Sequence, residues 1–169
     1  MKGYKEIPAE EMPGNVIEMI GRQWMLVTAG GARCNTMTAS WGGMGVIWGC
    51  PAATVYIRPQ RYTRELVDAE ERLTLSFMGG EYRSALAYCG SHSGRDGDKI
   101  AAAGLTAERT PAGTPYIGGA GVVLECRKMY RDRLGPAEFL EKELIDAWYP
   151  EKDFHYVYIC AIEKVYIKE

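Results

Sequence analysis

No two cysteines in this chain lie close enough in sequence to read as a pair. The 5 present, Cys34, Cys50, Cys89, Cys126 and Cys160, are an odd number at long intervals with no CxxC spacing. A disulfide framework is therefore not expected. Long apolar runs are also missing, and the opening MKGYKEIPAEEMPG carries acidic residues and prolines where a signal peptide needs an uninterrupted apolar stretch. The expectation is a cytoplasmic protein that does not enter a membrane. Positive charge is not in excess: the formal net charge of -2 leaves no global field for a nucleic-acid backbone or an anionic lipid surface. No nucleic-acid or membrane partner is expected, and any anion site must be local. The patterns GxxxxGKS/T, HExxH and GxSxG do not occur, which removes the enzyme classes built on them. Gly43-Met44-Gly45 begins like a dinucleotide fingerprint, but Trp48 stands at the third glycine position and no long crossover helix follows.

What is there suits one hydrophobic core. The 169 residues are 47% apolar and 25% charged, with a generous 11% aromatic, and a single domain over residues 1–169 is expected. Runs rich in β-branched and aromatic residues predict strands at Trp24 to Thr28, Thr54 to Ile57, Leu73 to Met78 and Gly121 to Tyr130. The ending, Tyr156 to Ile167, predicts a strand pair or one bent strand. A short helix is expected after Pro59, with Thr63 as its cap, another over Arg83 to Cys89, and a third opening at Asp98 as cap. Phe139, Leu140, Leu144, Ile145 and Trp148 recur with helical spacing behind Pro136 and predict an amphipathic helix that packs its apolar face. Strands outnumber helices, so the fold class is mainly β, a β-barrel with peripheral helices.

Three polar segments can carry chemistry. Asn35 to Trp41, NTMTASW, offers hydroxyl and amide groups to a planar polar ligand, or simply satisfies loop backbone. Arg58 to Thr63, RPQRYT, sets two guanidinium groups before a helix N-terminus, a phosphate cradle unless carboxylates such as Glu65 neutralise them. Ser91 to Lys99, SHSGRDGDK, has glycines that let amides converge on an anion. Cys89 and His92 have a CxxH spacing, but only His155 remains as a further histidine, so no metal is expected. His155 itself is a candidate proton donor.

Taken together and in this order, the NxMTxSW, RPxRYT and SGRDxDK stretches, with DFHYVYI at Asp153 to Ile159, resemble the flavin-reductase-like FMN-binding split-barrel family, most closely its flavoredoxin-type branch. The resemblance covers nearly the whole chain. It implies a closed antiparallel barrel of Greek-key type, usually a homodimer with flavin near the subunit interface. Carried over, Asn35, Met37, Thr38, Ser40 and Trp41 would line the isoalloxazine and ribityl chain, Arg58, Tyr62 and Thr63 would approach the phosphate, and Ser93, Gly94, Arg95 and Lys99 would complete its binding. The implied function is an FMN-dependent oxidoreductase, an NAD(P)H-dependent flavin or ferric-type reductase with NAD(P)H as co-substrate and a small-molecule or protein acceptor. The alternatives are an electron-transfer flavoprotein reduced by a protein partner, or a non-catalytic binding module that purifies without flavin.

Overall fold

The computed structural model describes residues 1–169. Ten strands form: β1 (Tyr4–Ile7), β2 (Met25–Ala29), β3 (Asn35–Ala39), β4 (Gly42–Ile47), β5 (Cys50–Ile57), β6 (Arg72–Phe77), β7 (Ala107–Arg109), β8 (Pro115–Ile117), β9 (Val122–Arg133) and β10 (Tyr156–Lys168). Five α-helices accompany them: α1 (Val16–Glu18), α2 (Tyr62–Ala69), α3 (Arg83–Ser91), α4 (Lys99–Ala102) and α5 (Glu143–Trp148).

The main sheet is antiparallel in the order β3-β2-β6-β9-β10-β5-β4, with β1 added beside β10, while β7 and β8 form a separate hairpin. β2 and β6 lie inside it and are buried on both faces. Met25 and Val27 enter one apolar cluster with Leu75, Leu124 and Tyr158, whereas Leu26 enters a second with Leu86, Ile100, Tyr116 and Val123. That double burial is why β2 reads as a nearly continuous apolar run; β6 alternates instead, and its buried Thr74 and Ser76 hydroxyls bond the Pro115 carbonyl and the Ile117 amide. The terminal segment is one strand, bent by register shifts at Ile159/Cys160 and Ile162/Lys164.

The barrel is mainly β as expected, but it is not closed by hydrogen bonds. β3 and β4, the two ends of the sheet, do not pair. β3 is packed against α2, α3 and α4 instead, and Thr38 Oγ1 donates to the Leu86 carbonyl at 2.5 Å. Only Ser40 and Trp41 join β3 to β4, so the seam opens at the NTMTASW segment.

Two helix expectations are corrected. Arg61, not Thr63, is the N-cap of α2, and no side chain caps that end. Thr63 lies inside the helix, where its hydroxyl accepts from Asn35. The long amphipathic helix is broken into a 3-10 turn at Pro136–Glu138 and the six-residue α5, neither of which buries a residue. Leu140 is 98% exposed and Trp148 50%. Helical spacing was satisfied locally, but there is no apolar partner surface to drive the packing. The β7–β8 hairpin and β1 stand where no strand was expected from the sequence, each held by pairing rather than by local propensity.

Candidate functional site

The seam between β3 and β4 is lined by aromatic rings. Met37, Thr38, Ser40 and Trp41 meet Tyr56, Arg58, Arg61, Trp148 and His155 around a cleft of about 280 Å³. Trp41 lies 4.9 Å, centroid to centroid, from the His155 ring and 5.1 Å from Trp148, which meets it edge-on. Ser40 is exposed, while Met37 is 4% exposed and forms the cleft's link to the core. His155 is buried, and its Nδ1 is 2.8 Å from the Tyr149 hydroxyl. Burial, followed by the nearby Arg58 charge, lowers its pKa to about 4 despite the opposing effect of Asp153. The ring is thus neutral near pH 7.

Arg58 stands beside this cleft, but its guanidinium is committed. It donates to Asp153 Oδ2 at 2.5 Å and to the Trp148 carbonyl at 2.9 Å, and lies 5.2 Å from the Tyr149 ring. It ties the segment after α5 to the end of β5. The carboxylate partner is Asp153 rather than Glu65, which pairs with Arg95 instead.

The other predicted residues collect around the opposite end of β3. Asn35 is buried, and its Nδ2 donates to Thr63 Oγ1 at 2.9 Å. Gly94 packs so closely on Asn35 that a Cβ there would come within 2.3 Å of Oδ1, which leaves glycine as the residue that fits. The Tyr62 ring has Arg95 at 5.2 Å and Arg33 at 5.7 Å. Arg95 also donates to the Gln60 carbonyl at 3.1 Å, and Ser93 Oγ accepts from the Arg95 amide at 3.2 Å. Asp98 caps α4 by accepting from the amides of Ile100 and Ala101, as expected.

Arg61, from the cleft, and Lys99, from the Asn35 end of β3, converge on the end of α3. Arg61 donates to the carbonyls of Gly90 at 2.5 Å and Cys89 at 3.0 Å; Lys99 Nζ donates to those of Cys89 and His92, both at 3.0 Å. Both cations therefore gather on the carbonyl end of α3, where the helix dipole favours positive charge. Neither has a carboxylate partner among the ion pairs of the protein. Lys99 is 5% exposed, and burial together with repulsion from Arg61 lowers its pKa to about 8. Two desolvated cations without a counter-ion are costly unless an anion joins them.

The structure thus brings Met37, Thr38, Ser40, Trp41 and Arg58 to the aromatic cleft. Asn35, Tyr62, Thr63, Ser93, Gly94, Arg95 and Lys99 lie toward the other end of β3. Lys99 lines, with Asn35 and Gly94, a neighbouring hollow of about 480 Å³ that does not include Arg58. Arg61, Arg33, Tyr56 and Trp148 were not assigned from sequence. Arg61 stood in the same RPQRYT stretch as Arg58, and its selection needed only the knowledge of which guanidinium lacks a carboxylate.

Residues 18–168 match the family model of the flavin reductase like domain. None of the curated proteins matches this sequence. Among solved structures, an FMN-binding protein from Thermus thermophilus with bound p-hydroxybenzaldehyde superposes with a TM-score of 0.70 at 22% identity, covering 98% of this chain and 82% of that one. Flavoredoxin of Desulfovibrio vulgaris gives 0.68 at 21% identity, over 98% and 76% of the two chains. An NADH:FAD oxidoreductase from Streptomyces globisporus gives 0.65 at 18%, over 85% and 73%. These likenesses establish the fold.

Proposed function

The chain belongs to the flavin reductase like domain family, and from that premise we propose that it binds FMN along β3 and passes reducing equivalents through it. The observation that carries this reading is a pair of cations without a carboxylate that meet on the Cys89 carbonyl: half-buried Arg61, which lines the cleft with Trp41, Tyr56 and His155, and buried Lys99, which lines the neighbouring hollow. A phosphate supplies the missing negative charge, and the aromatic walls suit a flat ring. The chemistry supplied on binding is hydride or electron acceptance at the flavin ring. The chain's own residues bind and orient: Ser40, Thr38 and His155 carry the polar atoms at the ring end, and Arg61, Lys99 and the Ser93 to Arg95 loop surround the phosphate end. Lys99→Ala is a poor probe of the phosphate alone, because it also removes two hydrogen bonds to carbonyls.

NAD(P)H is the proposed donor, and a homodimer the proposed assembly, with the exposed aromatic and aliphatic side chains Val46, Trp48, Leu140 and Trp148 as its supporting feature. The test is an anaerobic absorption spectrum of the purified protein with FMN, followed by NADH and then NADPH, on a sample whose mass is read by light scattering. Bleaching of the flavin band supports a reductase. Bound but unreduced flavin points to a protein donor, and a protein that ignores FMN overturns the reading. A monomeric mass removes the dimer.

The pH dependence of binding follows from Lys99. Its folded-state pKa is depressed to about 8, so the free protein loses this cation as pH rises through 8, whereas a bound phosphate holds the proton. FMN affinity is expected to fall about tenfold between pH 7 and pH 9, by proton linkage. Fluorescence titrations at the two pH values check it, and an equal fall for riboflavin, which lacks the phosphate, would reject Lys99 as the cause.

A further inference from the structure

Tyr149 follows α5 and meets His155, one of the residues that line the aromatic cleft. It is 3% exposed, its ring stacks on Phe154 at 4.7 Å and 26°, and Phe139 meets it edge-on at 5.8 Å. Its hydroxyl has one hydrogen-bond partner, Nδ1 of His155 at 2.8 Å, and that bond is likewise the only one His155 side-chain atoms make within the protein. Burial raises the Tyr149 pKa, so the phenol remains protonated.

Two proton arrangements share this geometry. If Nδ1 carried the imidazole proton, it would donate to the tyrosine oxygen, and the buried phenolic proton would have no acceptor. If the phenol donates, both atoms are satisfied, and the imidazole proton sits on Nε2. The second arrangement avoids an unmade buried hydrogen bond and is the stable one. Nε2 then has no protein partner, while His155 lines the cleft beside Trp41.

We propose that Tyr149 is a positioning residue that holds His155 as the neutral Nε2–H tautomer, so that the cleft presents a fixed, uncharged N–H donor to an acceptor atom on a flat ring lying against Trp41. The ring-binding role rests on the flavin reading; the tautomer does not. The charged and titratable groups that face His155 are the Arg58–Asp153 pair, Tyr149, Tyr56 and, across the cleft, Arg61. Arg58 and Asp153 oppose one another, and burial prevails. The donor is therefore constant across the neutral range, suited to a carbonyl oxygen or ring nitrogen rather than to a carboxylate that needs full positive charge.

The test is nitrogen NMR of the two imidazoles, with His92→Gln removing the second histidine, in wild type and in Tyr149→Phe. Phenylalanine keeps the ring packing and removes only the hydroxyl. The flavin-free wild type is expected to show the Nε2–H tautomer from pH 6 to 8, and Tyr149→Phe a mixture of both. An Nδ1–H tautomer in wild type, or no change in the variant, overturns the proposal. Added FMN is expected to shift the Nε2 signal and to bind Tyr149→Phe more weakly in proportion to the Nε2–H fraction lost, about twofold for an even mixture. A shift of Nε2 absent in wild type on saturation with FMN overturns the donor role. Failure of FMN to bind at all refutes the flavin reading instead, and the tautomer measurement is still decided.

Discussion

Replacing Arg61 by methionine is expected to lower FMN affinity by about one to two orders of magnitude while changing riboflavin affinity by less than about threefold. The estimate is that of one charge-assisted bond to phosphate, about 1.5–3 kcal/mol. Arg61 lines the aromatic cleft and touches two carbonyls at the end of α3, so it sits at the junction of the ring and phosphate ends. The comparison of the two flavins separates its roles. A guanidinium that merely fastens α3 would, on removal, weaken FMN and riboflavin alike. Arg58→Met is the companion variant: its charge is already answered by Asp153, so its loss should affect the α5 segment and both flavins equally. Paired fluorescence titrations of the four combinations decide the matter.

A second large effect is expected far from the cleft. Glu125 is 2% exposed in β9, and its carboxylate accepts from Thr110 Oγ1 at 2.8 Å, from Thr114 Oγ1, and from the Tyr166 hydroxyl at 3.4 Å. No cation is within ion-pair distance of it. The three hydroxyls are what make its burial tolerable, and in return it anchors the turn of the β7–β8 hairpin to the main sheet. Glu125→Leu leaves those hydroxyls without an acceptor and should cost about 2–4 kcal/mol. For a chain of this length that corresponds to a fall of roughly 4–16 °C in Tm. Adding Thr110→Val and Thr114→Val to Glu125→Leu should recover part of the loss, since removing both sides of a buried polar contact costs less than removing one. A triple variant no more stable than the single one would show that the hydroxyls are not the source of the penalty. Thermal melts followed by circular dichroism supply the numbers.

Much of the architecture was legible because its signals are local. The doubly buried β2 announces itself as a mostly apolar run and β6 by its alternation of Leu73, Leu75 and Phe77, and Asp98 reads as a cap because its side chain needs only the amides two and three residues on. The three polar stretches could be recognised together because their order and spacing survive in the chain. Legibility stopped where a residue's state depends on a distant partner. Phe139 to Trp148 has helical spacing, yet the segment lacks an apolar surface to pack on, and so it breaks after one turn and remains largely exposed. Thr63 has a capping side chain, yet Asn35, 28 residues away in sequence, takes its hydroxyl.

The sequence by itself determined that this is a β-rich chain with one aromatic-polar segment, two arginines and a glycine-rich loop available for an anionic planar ligand, because side-chain chemistry and strand propensity are properties of the residues themselves. Tertiary structure alone decided that the sheet stays open between β3 and β4, that Asp153 takes Arg58 while Arg61 and Lys99 are left without a carboxylate, and that Tyr149 faces His155. Those outcomes are set by burial and by which charges and hydroxyls the fold brings within a few ångströms, and neither quantity exists until the chain has closed on itself.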